Sequence, residues 1–228
     1  VWSENEGYAD HQWDGTPDPL KVACDAIAAG QNFAVESGTG TGKTSLGAAL
    51  LLWFLACFED AIIVTTAPGE KQLTLHMWKE VGAFWRRFRL RFPGAELIQL
   101  HVRMKPAEAE KEKWAAVGYA CGVGAAEDSA TRAQGFHAEH MLIITEETPG
   151  ISPAIMTALA NTCGADHNLR LAFGNPDHQA DTLHTFASSP GVVAVRVSAL
   201  DHPNVVTGRT VVPAAVGRRS VAERRALY

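Results

Sequence analysis

The sequence lacks the features that mark several classes of protein. Its four cysteines lie far apart and form no Cys-x-x-Cys pair, which argues against a zinc site and a disulfide framework and favours a reducing, intracellular compartment. The longest apolar run, Leu46 to Phe58, is too short to span a bilayer, and the acidic, polar start of the chain is unlike a signal peptide. We therefore expect no association with a membrane.

An overall excess of basic residues is also missing. The formal net charge is −5 and the pI is about 6.0, so any contact with nucleic acid has to be local. The segment from Trp85 to Phe92, which interleaves four arginines with aromatic residues, is one candidate for such a contact. A solvated helix end with its aromatic side chains in the core explains the same pattern.

What the chain does contain is a glycine-rich turn between an apolar run and a Lys-Thr pair. Glycines at alternate positions let backbone N–H groups point inward at a polyphosphate, and the helix that follows directs its positive dipole end at the same anion. Ser37 stands at a position that is usually glycine, as in helicase-like variants of this pattern. The turn predicts a phosphate-binding loop. The residues expected to contact the nucleotide are Ser37, Gly38, Thr39, Gly40, Thr41, Gly42, Lys43, Thr44 and Ser45.

Two pairs of side chains are predicted to carry the chemistry. Lys43 is expected to reach the β- and γ-phosphates, and the Thr44 hydroxyl to hold Mg²⁺. Glu146 and Glu147 end a strand-like run, where ligands bind in open α/β sheets. We expect Glu146 to orient Mg²⁺ through its water shell and Glu147 to polarise the attacking water as general base. Glu146 stands where Asp is usual, and two glutamates on an exposed strand end are the structural alternative.

Three further side chains are candidates for the nucleotide site. Asn175, in a Gly-Asn-Pro turn after a predicted strand, is suited to sensing the γ-phosphate, although such a turn also has a purely structural explanation. Gln72 follows a strand and a Thr-Ala-Pro break, an arrangement similar to the second motif of helicase-type motors. Trp13 or Tyr8 is suited either to stacking on adenine or to pinning the N-terminal arm to the core.

The remaining pattern predicts an α/β domain. A chain of 228 residues with 46% hydrophobic content is long enough for one such domain or one and a half. Short β-branched runs predict buried parallel strands, and longer periodic segments predict helices. The predicted strands are 33–36, 61–66, 96–101, 117–124, 140–145, 169–173 and 192–197, and the predicted helices are 19–29, 43–57, 70–87, 106–114 and 153–162.

Together these segments resemble the ATPase domain of the large terminase subunit of tailed bacteriophages, over nearly the whole chain. The stretch from Arg132 to Ala138 is the most specific to that family, because generic helicases lack its Gly-Phe-His-Ala lead into the acidic strand. The other motifs, in the family's order, are Ser37 to Thr44, Thr65-Thr-Ala-Pro68 with Gln72, Leu142-Ile-Ile-Thr-Glu-Glu147, Gly174-Asn-Pro176 and His202-Pro-Asn-Val205.

The resemblance implies a P-loop NTPase of the ASCE or RecA-like type, with a mostly parallel central sheet flanked by helices. It implies a Mg²⁺-dependent ATPase that moves double-stranded DNA into a capsid, in the host cytoplasm at the capsid portal. A homo-oligomeric ring, the portal protein and the small terminase subunit are the implied partners. Lys43 and Glu147 would be catalytic, and Asn175 would couple hydrolysis to movement. An arginine finger is also implied, for which Arg132, or Arg103 of a neighbouring subunit, is the candidate; a structural salt bridge is the alternative role of either arginine.

The resemblance also implies a division of the chain. Residues 1–30 would form an arm and helix that contribute to the nucleotide site, 31–208 the ATPase core, and 209–228 a linker. In the family this linker leads to a nuclease domain of ribonuclease H type, which is absent here, so no nuclease activity is expected.

Two other functions fit the loop and the carboxylates. A helicase-like, DNA-dependent ATPase shares this core but generally needs a second motor lobe, for which the residues after the loop are too few. A nucleotide-gated regulatory module that binds ATP without turnover is compatible with Glu146 but has no need of Glu147. Release of phosphate discriminates between this module and the two motors.

Overall fold

The structure is a computed structural model that describes residues 18–107, 113–121 and 135–226. In these residues strands and helices alternate as the sequence predicts. The strands are β1 (Asn32–Ser37), β2 (Ile62–Ala67), β3 (Glu96–Ile98), β4 (His101–Arg103), β5 (Ala115–Ala120), β6 (His140–Glu146), β7 (His167–Gly174) and β8 (Val192–Val197). The helices are α1 (Pro19–Ala28), α2 (Lys43–Cys57), α3 (Glu70–Gln72), α4 (Trp78–Arg91), α5 (Pro153–Thr162), α6 (Thr182–Ala187), α7 (Pro203–Thr207) and α8 (Arg218–Arg225).

These strands form one sheet in the order β3-β4-β5-β2-β6-β7-β1-β8. The strands from β5 to β8 in that order are parallel, whereas β3 and β4 add an antiparallel edge. Parallel strands covered on both faces are apolar throughout, and β2 is buried at every position. The predicted, mostly parallel sheet is confirmed.

Helix α2 lies in the larger apolar core and begins directly after the glycine-rich loop. Its residues are buried around most of its circumference, which explains why the segment is uniformly apolar instead of amphipathic. Gly47 of this helix lies against Phe173 of β7, where an added Cβ would come within 2.6 Å of the aromatic ring. This close approach fixes α2, and with it the loop, on the sheet.

Several segments differ from the sequence prediction; among them, β5 begins at Ala115 instead of at 117, and α7 was not predicted. The single strand predicted at 96–101 is wrong: the chain reverses at Gln99, whose φ of 51° is rare for that residue type, and β3 pairs with β4 as a hairpin. Helix α6 was not predicted because six residues are too few to show a helical period. A π-helical turn, Leu73–Met77, connects α3 to α4 and carries the predicted helix on to Arg91. Residues 106, 107, 113 and 114 of the predicted helix 106–114 form turns and bends instead of a helix, and residues 108–112 lie outside the described residues.

The order of the strands decides which loops meet. Strand β7 lies between β1 and β6, so the residues after β7 lie between the glycine-rich loop and the acidic pair that ends β6. All three strands are parallel, and their carboxyl ends therefore share one edge of the sheet. Among the described residues, none of the helices combines the length and the apolar character that crossing a bilayer requires.

Candidate active site

The loop between β1 and α2 is held in a curve by its backbone and by its own hydroxyl groups. Gly40 and Gly42 have φ values of 78° and 93°, in the left-handed region that favours glycine. The Thr41 hydroxyl donates a 2.8 Å hydrogen bond to the carbonyl of Gly38 and is also hydrogen-bonded to the hydroxyl of Ser37. Ser37, at the position that is usually glycine, therefore closes the base of the loop.

Lys43 is the first residue of α2, and its ammonium group points at the residues that follow β6 and β7. Its Nζ donates a 2.9 Å hydrogen bond to Oδ1 of Asn175 and lies 3.7 Å from Oε1 of Glu147. Burial lowers the pKa of Lys43, while the charges of Glu147 and Glu146 act in the opposite direction. The site thus contains a buried ammonium group near two carboxylates. An incoming phosphate would bind to this ammonium group.

Thr44 and Glu146 form a second contact at the same edge. The Thr44 hydroxyl donates a 2.8 Å hydrogen bond to Oε1 of Glu146, whose side chain is buried at the end of β6. Burial raises the pKa of Glu146 to about 7; the Thr44 hydrogen bond opposes this shift and the charge of Glu147 adds to it. The ionised form of the Glu146 carboxyl group is therefore poorly solvated at this position. A bound cation would stabilise it.

These two side chains fit a magnesium ion. The second carboxylate oxygen of Glu146, Oε2, is buried and has no hydrogen-bond partner among the described residues. A hydroxyl and a carboxylate oxygen are the hard ligands that Mg²⁺ takes from proteins, with water completing its shell. A buried oxygen without a hydrogen-bond partner, beside the Thr44 hydroxyl, is what a site for a metal ion would contain. Both residues predicted as metal ligands are thus brought together.

Glu147 follows directly and has a strained backbone. Its φ of 48° and ψ of 46° place it in the left-handed region, and its side chain is 35% exposed, in contrast to the buried Glu146. Gly174, at the end of β7, lies against this turn: an added Cβ would come within 2.7 Å of Pro149 and 3.4 Å of the Glu147 Cα. The turn and the packing together direct Glu147 toward Lys43 and toward solvent, as a water-polarising carboxylate requires.

Asn175, which follows β7, makes hydrogen bonds to Lys43 and to the phosphate loop. Its side-chain oxygen accepts from Lys43, and its Nδ2 donates a 2.8 Å hydrogen bond to the hydroxyl of Thr39 in the loop. One amide therefore contacts both the lysine and the rim of the phosphate loop. A simple structural turn at Gly174-Asn-Pro176 would not require either bond.

Other predicted site residues have different surroundings. The Ser45 hydroxyl donates a 2.8 Å hydrogen bond to Glu80 of α4, and so links two helices. The side-chain oxygen of Gln72 accepts from the backbone N–H of Gly69, at the start of its own helix. Their nucleotide contacts stay predictions, as do those of Trp13 and Arg132, which lie outside the described residues. Arg103 lies on β4, with four strands between it and β1.

The start of α1 lies next to the phosphate loop. A cavity of about 80 Å³ lies between Asp18, Pro19 and Leu20 on one side and the loop residues Thr41 and Gly42 on the other. Residues 209–217 reach the loop as well, since the N–H of Val216 donates a 2.9 Å hydrogen bond to the carbonyl of Gly40. The predicted division into arm, core and linker stays a prediction.

Known proteins similar to this chain include large terminases of bacteriophages. No family model matches the chain. A probable terminase large subunit of Enterobacteria phage P7 is 25% identical over 163 residues, which cover 69% of this chain and 32% of that protein. The chain thus spans about a third of the length of this curated relative.

The solved structures decide the fold. The ATPase domain of the large terminase of Thermus phage P74-26 superposes with a TM-score of 0.67 at 16% identity, covering 99% of this chain and 90% of that chain. The chain has the fold of a large terminase ATPase domain. The large terminase of the thermophilic bacteriophage D6E, in complex with ADP, gives a TM-score of 0.62 at 10% identity over 95% of this chain and 48% of that chain. The predicted P-loop NTPase fold is confirmed.

Sequence reasoning missed one charged cluster in this terminase fold. Glu36 at the end of β1 is buried and contacts Arg196 of β8 and His184 of α6. A signal for it exists, because Glu36 and Arg196 are charged residues inside otherwise apolar strands. Only the pairing of β1 with β8 shows that these two residues are neighbours in register.

Proposed function

We propose that the chain is the ATP-hydrolysing motor domain of a large terminase, which drives double-stranded DNA into a capsid. The observation that carries this proposal is the meeting of Lys43, Thr44, Glu146, Glu147 and Asn175 at one edge of the sheet. Each of these side chains has a role in hydrolysis of a nucleoside triphosphate, and they come from three separate strand ends. The similarity to the phage P7 protein and the terminase fold support the same function.

The chemistry assigned to this site is attack of water on the γ-phosphorus of ATP. The water oxygen bonds to phosphorus, the bond to the bridging oxygen breaks, and ADP leaves with that oxygen. Glu147 orients the water and takes up its proton, and Lys43 offsets charge on the phosphate oxygens. Thr44 and Glu146 would hold Mg²⁺, which when bound neutralises charge on the β- and γ-oxygens.

Contact with DNA is assigned to the C-terminal half of α4. Trp85 and Phe88 pack against the apolar core, which was one of the two explanations for this segment. Arg86, Arg89 and Arg91 are exposed on the same helix. On a chain with net charge −5, these exposed guanidinium groups form a local basic surface, to which the phosphates of a DNA backbone would bind.

The partners and the location follow from the likeness to large terminases. A homo-oligomeric ring around DNA, a portal protein and a small terminase subunit are the partners we propose, in the host cytoplasm at the capsid portal. In a ring, a neighbouring subunit would lie beside each nucleotide site, from which Arg103 would act, and Arg132 stays the other candidate for the arginine finger.

Release of phosphate from ATP in the presence of Mg²⁺ tests this function. We expect turnover that duplex DNA accelerates, that Lys43→Ala abolishes, and that Glu147→Gln abolishes while ATP still binds. Glu59→Gln is the matched control, because Glu59 pairs with Lys105 at 2.9 Å beyond the far end of α2 and should leave turnover unchanged. Tight binding of ATP without release of phosphate would contradict the motor and favour the regulatory module.

The contact with DNA has its own test. Arg86→Gln combined with Arg89→Gln should remove the acceleration by duplex DNA and leave the DNA-independent rate intact. The pair Arg219→Gln and Arg225→Gln, two exposed arginines on α8, removes the same amount of positive charge and serves as the control for surface charge. Unchanged acceleration in the α4 variant would show that DNA binds elsewhere.

A further inference from the structure

A second cleft opens beside the phosphate loop, on the side of β8. We call it the loop-side cleft. Its volume is about 720 Å³, and its rim includes Gly38 and Thr39 from the first half of the loop together with Asn175. Two arginines, Arg196 and Arg224, line it from the opposite side. It is distinct from the contact between Thr44 and Glu146, which lies at the start of α2.

Arg196 is anchored in this cleft at one end only. Its Nε donates a 2.6 Å hydrogen bond to Oε2 of Glu36, the residue beside it in register on β1. Within the described part of the chain, no hydrogen bond to either terminal nitrogen of Arg196 is present, and the side chain is 75% exposed. The guanidinium group is thus oriented by the protein and presents its fork to whatever enters the cleft.

The anchor itself is buried and doubly held. Glu36 is 5% exposed, and its other oxygen lies 2.8 Å from Nδ1 of His184. Burial alone would raise the pKa of Glu36, but the hydrogen bonds from His184 and Arg196 outweigh it and keep the pKa below the ordinary value. The buried Glu36 carboxylate therefore holds the guanidinium group of Arg196 in one orientation.

The position of the cleft indicates its ligand. Lys43 is placed for the β- and γ-phosphates, and Asn175 bonds both to Lys43 and to Thr39. Asn175 and Thr39 also form the rim of the loop-side cleft, so the cleft opens where the terminal phosphate of a nucleotide would lie. The planar fork of arginine matches phosphate oxygens in a bidentate manner, and the loop itself contains no arginine.

We propose that Arg196 contacts the terminal phosphate of bound ATP from within the same chain, and that Glu36 is its positioning residue. This inference rests on the proposed ATP hydrolysis. Arg196 stabilises the charge that develops on the γ-phosphate oxygens, and it distinguishes ATP from ADP because ADP lacks that phosphate. Arg224 lines the same cleft but carries no anchoring hydrogen bond in the described structure, and Asp177 adds one negative charge to the rim.

The experiment measures steady-state turnover and the binding of ADP and ATPγS by Arg196→Gln, with Arg219→Gln, an exposed arginine of α8 that does not line the cleft, as the control for lost positive charge. We expect Arg196→Gln to lower kcat about 100-fold, the effect of removing one preorganised donor, with ADP affinity unchanged. Arg219→Gln should resemble the wild type. Arg196→Gln leaves the buried Glu36 carboxylate with one partner fewer, so its midpoint of thermal unfolding should fall, and unchanged ADP affinity shows that the nucleotide site is still folded.

A second set of variants separates contact from a structural role. Guanidinium ion added to Arg196→Ala should restore part of the lost turnover, which a structural role would not produce. Glu36→Gln keeps the shape of the anchor but not its charge, and should lower kcat about tenfold without changing ADP affinity. Wild-type turnover in Arg196→Gln would overturn the inference.

Failure of the proposed function gives a different result. If the wild-type chain releases no phosphate, hydrolysis by this chain is disproved, and the affinities alone test Arg196. Loss of the preference for ATPγS over ADP in Arg196→Gln, by about tenfold, would then support the contact. An unchanged preference would overturn it.

Discussion

The ammonium group of Lys43 and the side-chain oxygen of Asn175 are joined by a 2.9 Å hydrogen bond, although 132 positions separate them in the chain. This bond exists only because β7 lies between β1 and β6 in the sheet. Lys43 has to give up or share this hydrogen bond when a phosphate enters the site. The absence of charge on Asn175 should therefore matter for the binding of ATP.

We predict that Asn175→Asp weakens the binding of ATP without destabilising the protein. A carboxylate at this position would pair with Lys43 and repel the phosphate, and we expect the Kd for ATP to rise about tenfold or more. Isothermal titration and thermal unfolding without nucleotide measure the two effects. Asn175→Ala is the comparison: it removes the bonds to Lys43 and Thr39, so it should be the less stable variant and the better binder of the two. Wild-type affinity in Asn175→Asp would contradict this prediction.

Two substitutions of Glu147 should lose activity alike but differ in stability. Its left-handed backbone costs about 1 kcal/mol or more for a residue with a Cβ, and a glycine avoids that cost. Glu147→Gly and Glu147→Ala should both lose turnover, but the glycine variant should be more stable than the alanine variant by about 1 kcal/mol. Urea unfolding of the two variants checks the difference, and equal stabilities would show that the turn relaxes.

How much the sequence predicts depends on the range of the interaction. The phosphate loop and the Glu146 and Glu147 pair were predicted because each lies within one short motif. Asn175 was predicted by its place after a strand, although its two bonds were not. The likeness to solved terminase ATPase domains confirms the fold.

What the sequence does not predict depends on pairing between distant segments or on unusual backbone. Glu36 and Arg196 are 160 positions apart, and only the parallel pairing of β1 with β8 brings them into contact. The reversal at Gln99 has no glycine or asparagine to signal it. The bond between Ser45 and Glu80 depends on how α4 packs against α2, which no local pattern records.

Gly174 provides a test of the packing between the two strand ends. A methyl group at this position would come within 2.7 Å of Pro149 and 3.2 Å of the Thr148 nitrogen, so Gly174→Ala should cost about 1 to 3 kcal/mol and displace Glu147. Turnover should fall with the stability. Gly82→Ala is the matched control, because a methyl group there meets nothing within 4 Å and a helix interior favours alanine by about 1 kcal/mol. Equal stability in the two variants would contradict the close approach.

The last prediction concerns pH and lies at the opposite edge of the sheet. Nδ1 of His140 lies 3.1 Å from Nδ1 of His167, and His167 stacks on Phe54 at a centroid distance of 5.7 Å. Burial, and then the proximity of His140, lower the pKa of His167 below 6.5. A histidine whose pKa is lowered by folding stabilises the protein fully above pH 6.5, and this stabilisation is lost as the pH falls through the folded value.

Protonation of both rings would also remove the acceptor of their hydrogen bond. Glu139 lies near the pair, with its carboxylate 4.0 Å from Nε2 of His140, and it opposes the repulsion only in part because it is exposed. The free energy of unfolding should therefore fall more between pH 7.5 and pH 5.5 in the wild type than in His167→Phe, which keeps the stacking and cannot be protonated. The exposed His76, changed to Gln, should leave the pH dependence as it is in the wild type. An identical pH profile for His167→Phe and the wild type would show that the pair does not destabilise the fold when it is protonated.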